Sequence, residues 1–225
     1  MQSLPARCIL AGHKPHPWRP PRSHKTLTTC FLPTFPRLVC TVVRSPAAND
    51  DDLDRALVRR YLDGERTAGD QLVERYQRSV YNVALRMLGN VQDAEDVAQT
   101  TFGNAFTSLD SYDPKYRFFS WIYRMTFNES LNTIKRRRDV VSLDGGFDVP
   151  AADNSSESAT EAEERVGKAL LDLKPDDRAV VILRHFVSFS YEEISDVLGV
   201  PVKTVKSRLF TARERMRQSL LVARA

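Results

Sequence analysis

The sequence predicts an all-α protein: two small helical domains joined by a flexible linker, the C-terminal one ending in a helix-turn-helix. Three observations carry this. From residue 50 to 138, apolar residues recur at three- and four-residue spacing, with no strand alternation. Residues 139–160, DVVSLDGGFDVPAADNSSESAT, are rich in Gly, Ser and Asp and read as a linker. Residues 190–217, SYEEISDVLGVPVKTVKSRLFTARERMR, carry the start and stop signals of two helices separated by a tight turn.

Taken in order, residues 1–49 are rich in Pro and Arg, hold no acid and show no useful periodicity, so they are expected to be a largely disordered extension. Their composition also resembles an organelle transit peptide, and an overextended start would read the same way. The first helical pattern places Leu53, Leu57 and Tyr61 inward and breaks at Gly64. A longer helix follows with Leu72, Tyr76, Val80, Val83, Ala84 and Met87, ending at Gly89 and Asn90. A third, from about Val91 to Ser108, puts Val91, Ala94, Val97, Ala98, Phe102, Ala105 and Phe106 inward. It turns Asp93, Glu95, Asp96, Gln99 and Thr100 toward solvent, an acidic face that suits either plain solubility or a basic protein partner.

After a loop over 110–116 comes FFSWIYRMTFNESLNTIKRRR, residues 118–138. Phe118, Phe119, Trp121, Tyr123 and Phe127 are too many, at adjacent positions, for one buried stripe. Arg124, Asn128 and Lys135 line a polar strip, and Lys135, Arg136, Arg137 and Arg138 form a basic run. Aromatic platforms beside cations are what unstacked single-stranded bases require. The 139–160 linker would average roughly 25 Å end to end and reach about 70 Å when extended, up to two turns of DNA at about 34 Å per turn. Val166, Ala169, Leu170 and Leu173 then make a helix broken at Lys174-Pro175, and Val180, Ile182, Leu183 and Phe186 make another. His185 reads as structural or solvated.

In the final hairpin, Ser190 followed by Glu193 is a capping box, and Ile194, Val197 and Leu198 give the first helix an apolar face. Gly199 suits a left-handed helix end, and Pro201 the first turn of the next helix. In that second helix Val202, Val205, Leu209, Ala212 and Met216 share one side, and Lys203, Lys206, Ser207, Phe210 and Thr211 the other. A solvated face has no need of Phe210. Basic groups for phosphate or guanine, hydroxyls for base edges and an aromatic for thymine methyls suit a DNA major groove.

The net charge of +4 at neutral pH conceals a division. Seven bases, Arg7, Lys14, Arg19, Arg22, Lys25, Arg37 and Arg44, precede the first acid at Asp50; without them 26 bases face 29 acids. Nucleic-acid affinity in the folded part must come from local clusters. The three cysteines, Cys8, Cys30 and Cys40, all lie in the leading segment, which excludes a disulfide framework in the helical part. Cys30 and Cys40 with His13, His16 and His24 form no CxxC or HxxxH pair, so neither metal nor other cofactor is expected. No run is long and apolar enough to span a membrane and the start lacks a secretory apolar core, so a cytoplasmic protein without membrane insertion is expected.

Two stretches carry a family resemblance. GNVQDAEDVAQTTF with FFSWIYRMTFNESLNTIKRRR resembles the first conserved domain of bacterial sigma factors, and LKPDDRAVVILRHFVSFSYEEISDVLGVPVKTVKSRLFTARERMR resembles their second. Two domains joined by a short linker look like the extracytoplasmic-function group. The resemblance divides the chain into an extension at 1–49, an N-terminal sigma domain at 50–138, the linker and a C-terminal sigma domain at 161–225. It implies a non-enzymatic initiation subunit that binds core RNA polymerase and promoter DNA, with an anti-sigma protein as a candidate further partner.

The same resemblance implies residue roles. Asp93, Glu95, Asp96, Gln99 and Phe102 would dock on a coiled coil of the polymerase. Phe119, Trp121, Arg124, Asn128, Lys135 and Arg136 would melt and hold the −10 element, with Asn128 reading a base. Lys203, Lys206, Ser207, Phe210 and Thr211 would read the −35 element as duplex, with Arg208 and Arg213 on phosphates. Thr100, Lys203 and Thr211 depart from residues common in the family, which bears on promoter sequence more than on role. Two rivals explain less. A stand-alone helix-turn-helix regulator leaves the aromatic and basic segment without purpose, and a serine recombinase needs a nucleophile on a sheet-containing fold.

Overall fold

The computed structural model describes residues 48–143 and 161–222, with side chains from 51 to 138 and from 161 to 221. The all-α expectation holds: the described residues form helices and short turns, with no strand. In chain order these are α1 (Ala48–Leu62), α2 (Arg66–Leu88), α3 (Val91–Thr107), a 3-10 turn (Leu109–Ser111), α4 (Phe118–Leu143), α5 (Glu161–Leu171), α6 (Pro175–Val181), a π turn (Ile182–Phe186), α7 (Tyr191–Leu198) and α8 (Val202–Val222). Residues 1–47 of the extension expected to be disordered, the cysteines, His13, His16, His24 and most of the expected linker lie outside the described residues, while Ala48 and Asn49 open α1. No helix among the described residues is long and apolar enough to cross a membrane.

Helices α1 to α4 pack as one set, with Leu72, Tyr76, Val80, Val83, Ala84 and Met87 of α2 all buried at its centre. Gly69 allows α1 and α2 to approach: a Cβ there would sit 2.8 Å from the Tyr61 ring. Two inward assignments need correction. Leu53 is exposed, and its neighbour Asp54 is buried instead, accepting from Arg75 Nε at 3.0 Å and from the Tyr76 hydroxyl. That carboxylate is worth burying because both its oxygens are satisfied by a cation and a phenol. Burial, with Asp54 alongside, raises the Tyr76 pKa. Val91 is exposed because it is the first residue of α3, directly after the Asn90 cap whose side chain accepts from the Asp93 amide at 3.0 Å.

Helix α4 runs through Leu143, past the boundary the composition suggested at 139, because the first helix breakers arrive only at Gly145 and Gly146. It is buried on two sides. Phe118 stacks toward Tyr76 at 5.4 Å, while Phe119 and Tyr123 meet Phe189 at 5.0 and 5.5 Å between ring centres. The excess of aromatics in 118–127 thus serves two apolar interfaces at once, one with α2 and one with the C-terminal helices.

The C-terminal set begins with α5, stops at Leu171 and restarts at Pro175, as the Lys174-Pro175 break predicts. The helix after it widens into a π turn, where the Val187 amide donates to the Ile182 carbonyl at 3.1 Å. Val187 and Phe189 are both buried beyond it. The capping box at Ser190 forms as expected: the Glu193 amide donates to Ser190 Oγ at 3.1 Å and the Ser190 amide to Glu193 Oε2 at 2.8 Å. Gly199 takes the left-handed conformation, φ 65°, that closes α7 and starts the turn.

Both sets belong to one compact unit, and a buried arginine joins them. Arg178 of α6 donates from Nε to the Leu170 carbonyl at 2.9 Å and from Nη2 to those of Leu171 and Leu173 at 2.6 and 3.1 Å; Nη1 donates across to the Met87 carbonyl of α2. Burial, with Arg138 nearby, pushes its pKa down to about 10, so it stays charged at neutral pH. Arg178→Ala removes every one of these donors, leaves the Leu170 carbonyl with the Leu173 amide alone, strips the guanidinium from the other three and should cost on the order of 3 kcal/mol. The urea midpoint of the variant checks this; a midpoint equal to the parent's would mean that water fully replaces the guanidinium.

Candidate nucleic-acid interface

Helix α8 is held by its apolar side and shows the other side to solvent. Val205, Leu209 and Ala212 are buried, whereas Lys203, Lys206, Ser207, Thr211 and Arg213 are exposed and Phe210 is 76% exposed. The turn before it is locked. The Gly199 and Val200 amides donate to the Ser195 carbonyl at 2.9 and 3.2 Å, and Ser195 Oγ donates to the Val200 carbonyl at 2.6 Å. At its other edge Arg215 reaches buried Asp177 of α6 at 3.4 Å. Arg208 is committed to Asp176 at 3.0 Å, so a phosphate would have to displace that carboxylate. Arg213 faces exposed His185 at 3.3 Å, and burial together with the Arg213 and Arg184 charges lowers the His185 pKa.

The acidic face of α3 is only partly free. Asp96 and Gln99 are exposed, Glu95 is half-buried and Asp93 pairs with Arg137 of α4. Phe102 is 5% exposed and packs beside Phe106, so it supports this face from beneath and does not stand on it.

On α4 the structure separates the expected strand-binding residues. Lys135 and Arg136 are exposed and, with Glu129 and Asn132, line an open groove. Trp121 is half-buried against Tyr112 and Phe118, at 5.5 and 5.7 Å. Phe119 is fully buried because Phe189 covers it. Arg124 donates from Nε to the Val197 carbonyl of α7 at 3.1 Å, and burial lowers its pKa while Asp196 opposes that shift. Asn128 opens into a cleft shared with Asp176, Val197, Leu198, Val200 and Arg208.

Sequence reasoning missed Arg117, Arg178, Phe189 and the second role of Glu193. Arg117 bridges Asp51 of α1 at 2.8 Å and Glu193 of α7 at 2.9 Å. Phe189 had a signal, the alternation of apolar and polar residues in Val187-Ser188-Phe189-Ser190. A lone Arg beside Asp177 carried none.

Residues 72–140 match the model of Sigma-70 region 2, and residues 163–216 that of Sigma-70, region 4. The chain is 34% identical over 180 residues to the RNA polymerase sigma-H factor of Pseudomonas aeruginosa, covering 74% of this chain and 93% of that one. It belongs to the extracytoplasmic-function sigma factors. The sigma-E factor of Haemophilus influenzae, of the same group, is 34% identical over 72% of this chain and 92% of its own. Among solved structures, the sigma factor RpoE of Bartonella quintana in complex with the anti-sigma factor NepR matches with a TM-score of 0.60 and 27% identity, over 68% of this chain and 96% of that one. CnrH in complex with the cytosolic domain of CnrY matches at 0.59 and 29%, over 76% and 99%. Sigma factors bring core RNA polymerase to promoters to start transcription, and this sigma factor carries both of the matched regions in that order.

Proposed function

We propose a division of labour within this sigma factor. The outer face of α8 reads the −35 element as duplex, the polar strip and basic end of α4 open and hold the −10 element, and Asp96 and Gln99 of α3 dock on the polymerase. The chain works in the cytoplasm as a non-catalytic subunit. Its segments are the extension at 1–49, the polymerase and −10 domain at 50–138, the linker at 139–160 and the −35 domain at 161–225. An anti-sigma protein is a candidate regulator, supported by the complexes in which its structural relatives are found.

The observation that supports this reading best is the face of α8. A helix whose inner side is anchored by buried Val205, Leu209 and Ala212, whose start is fixed by a hydrogen-bonded turn and whose outer side offers Lys203, Lys206, Ser207, Phe210 and Thr211 is rigid where a groove-reading helix must be rigid. Lys206 also lies over the Tyr191 ring at 5.5 Å, which limits the positions its ammonium can take.

The α8 assignment makes Lys206→Ala and Phe210→Ala each cost on the order of 1–3 kcal/mol in promoter binding and relax preference at different base pairs. Binding to a set of single-base promoter variants measures this; equal loss on every sequence would make both residues positioning contacts only. Asp96→Lys combined with Gln99→Ala should weaken core polymerase binding in a salt-dependent way with helical content unchanged, and parental affinity in the double variant would remove the docking face. Asn128→Ala should leave closed complexes intact and depress open ones, by loss of one base contact. Permanganate reactivity of unpaired thymines reports opening, and full opening by that variant on duplex DNA would reduce Asn128 to a surface polar residue.

A further inference from the structure

The two flanks of α8 differ in how their cations are satisfied. On one flank Arg208 and Arg215, seven residues apart, pair with Asp176 and Asp177 of α6. On the other, Lys206 and Arg213 share the same seven-residue spacing, and no acid pairs with either among the described residues. Lys206 lies over the Tyr191 ring at 5.5 Å, and Arg213 turns its Nε and Nη2 toward His185 Nε2 at 3.4 and 3.3 Å. The π turn brings His185 there. Its neighbour Arg184 donates from Nη1 to the Phe189 carbonyl at 2.7 Å and sits 4.9 Å from the Tyr191 ring centre, which ties the turn to the start of α7 and adds a third cation. Seven residues are about two turns, roughly 10 Å of helix, so this flank is a row of unneutralised charge beside the face that carries Phe210. An arginine only donates, so His185 Nε2 must offer it a lone pair, and the imidazole is neutral with its proton on Nδ1. Burial, with the charges of Arg213 on α8 and Arg184 on its own turn, lowers the His185 pKa and favours that neutral form.

We propose that His185 contacts a backbone phosphate of the upstream duplex and takes up a proton as it does so, which makes promoter binding tighten as the pH falls. This rests on the reading of α8 as the −35 face. A phosphate at this flank accepts from Arg213. His185 Nε2, no longer needed as the acceptor for that guanidinium, gains a proton from solvent and donates to the same anion. The anion favours the charged imidazole, so the pKa of His185 is higher in the complex than in the free chain. By linkage, the gain in affinity is complete below the free-chain pKa and is lost as the pH rises through the pKa of the complex. A neutral acceptor that merely oriented Arg213 would give no such dependence. His185 is also the one histidine outside residues 1–49, the other three being His13, His16 and His24.

In the full chain carrying His13→Gln, His16→Gln and His24→Gln, His185 is the only imidazole. The affinity of this parent for a duplex selected from a randomised pool should rise about five-fold from about pH 7.5 to about pH 5.5 at fixed salt, much of the roughly ten-fold that one unit of pKa change allows. His185→Gln keeps an acceptor for Arg213 and cannot be charged, so its affinity should stay near the parent's alkaline value throughout. His185→Lys should bind at both ends of the range at least as tightly as the parent does at the acid end. The NMR shifts of the imidazole should report a pKa that climbs by about one unit when duplex is added. Single methylphosphonate substitutions along the duplex should abolish the pH dependence at one phosphate alone. A pH dependence that persists in His185→Gln, or an imidazole pKa unmoved by duplex, overturns the proposal. So does weaker binding by His185→Lys across the range, which would make His185 a neutral support for Arg213. Lys206→Ala and Phe210→Ala are measured on the same duplexes. If they change base preference while the histidine tests fail, the −35 reading stands without this contact; if neither they nor the His185 variants alter duplex binding, that reading falls with it.

Discussion

The Arg178 guanidinium is the constraint around which the two helical sets are arranged. A charge removed from water must be repaid by several acceptors at fixed positions, and here they are the carbonyls that helix ends cannot satisfy internally. Those of Leu170, Leu171 and Leu173 belong to the end of α5 and the turn after it, and that of Met87 to the end of α2. One side chain therefore caps two helices from different parts of the chain and fixes α6 against both. Because α6 packs on α8, the position of α8 is set from the same point.

Helix α4 shows how burial on two sides reshapes a functional surface. Its aromatics were read as partly stacking platforms because one helix face could not bury them all. The second interface resolves that excess: Tyr76 and the α2 side take Phe118, while Phe189 takes Phe119 and Tyr123. What remains for solvent and ligand is polar, from Arg124 and Asn128 at the cleft to Lys135 and Arg136 at the open end. Apolar contact holds the C-terminal helices against α4, and the polar contacts at its margin decide how easily they part.

The helices themselves were legible wherever local rules decide them. The capping box at Ser190, the left-handed Gly199, the Pro175 restart and the period of α2 all depend on residues within a turn or two of each other. Leu53 and Asp54 were misread because the partners that make Asp54 worth burying, Arg75 and Tyr76, lie more than twenty residues away. Phe119 was given a strand-binding surface, and Phe102, rightly read as inward from the helical period, was also given a docking role by the resemblance, for a related reason: a motif gives residue type and order, but only packing tells which members of it are covered. Arg117 and Arg178 follow the same logic, since an arginine's partners across the fold leave no periodic mark. The exposed side of α8 was readable because its signal, an aromatic opposite an apolar seam, is internal to one helix.

The two surfaces proposed to meet DNA differ in exposure within the same structure. The α8 face is uncovered, with Phe210 and its neighbours in solvent, while the α4 face is covered over Arg124, Asn128 and Phe119. On the proposed reading, duplex recognition asks only that Arg208 exchange Asp176 for a phosphate, whereas an unpaired strand meets a face whose Arg124 already donates to α7. On that reading, sequence recognition upstream and strand capture downstream fall on separate surfaces with separate energetic costs.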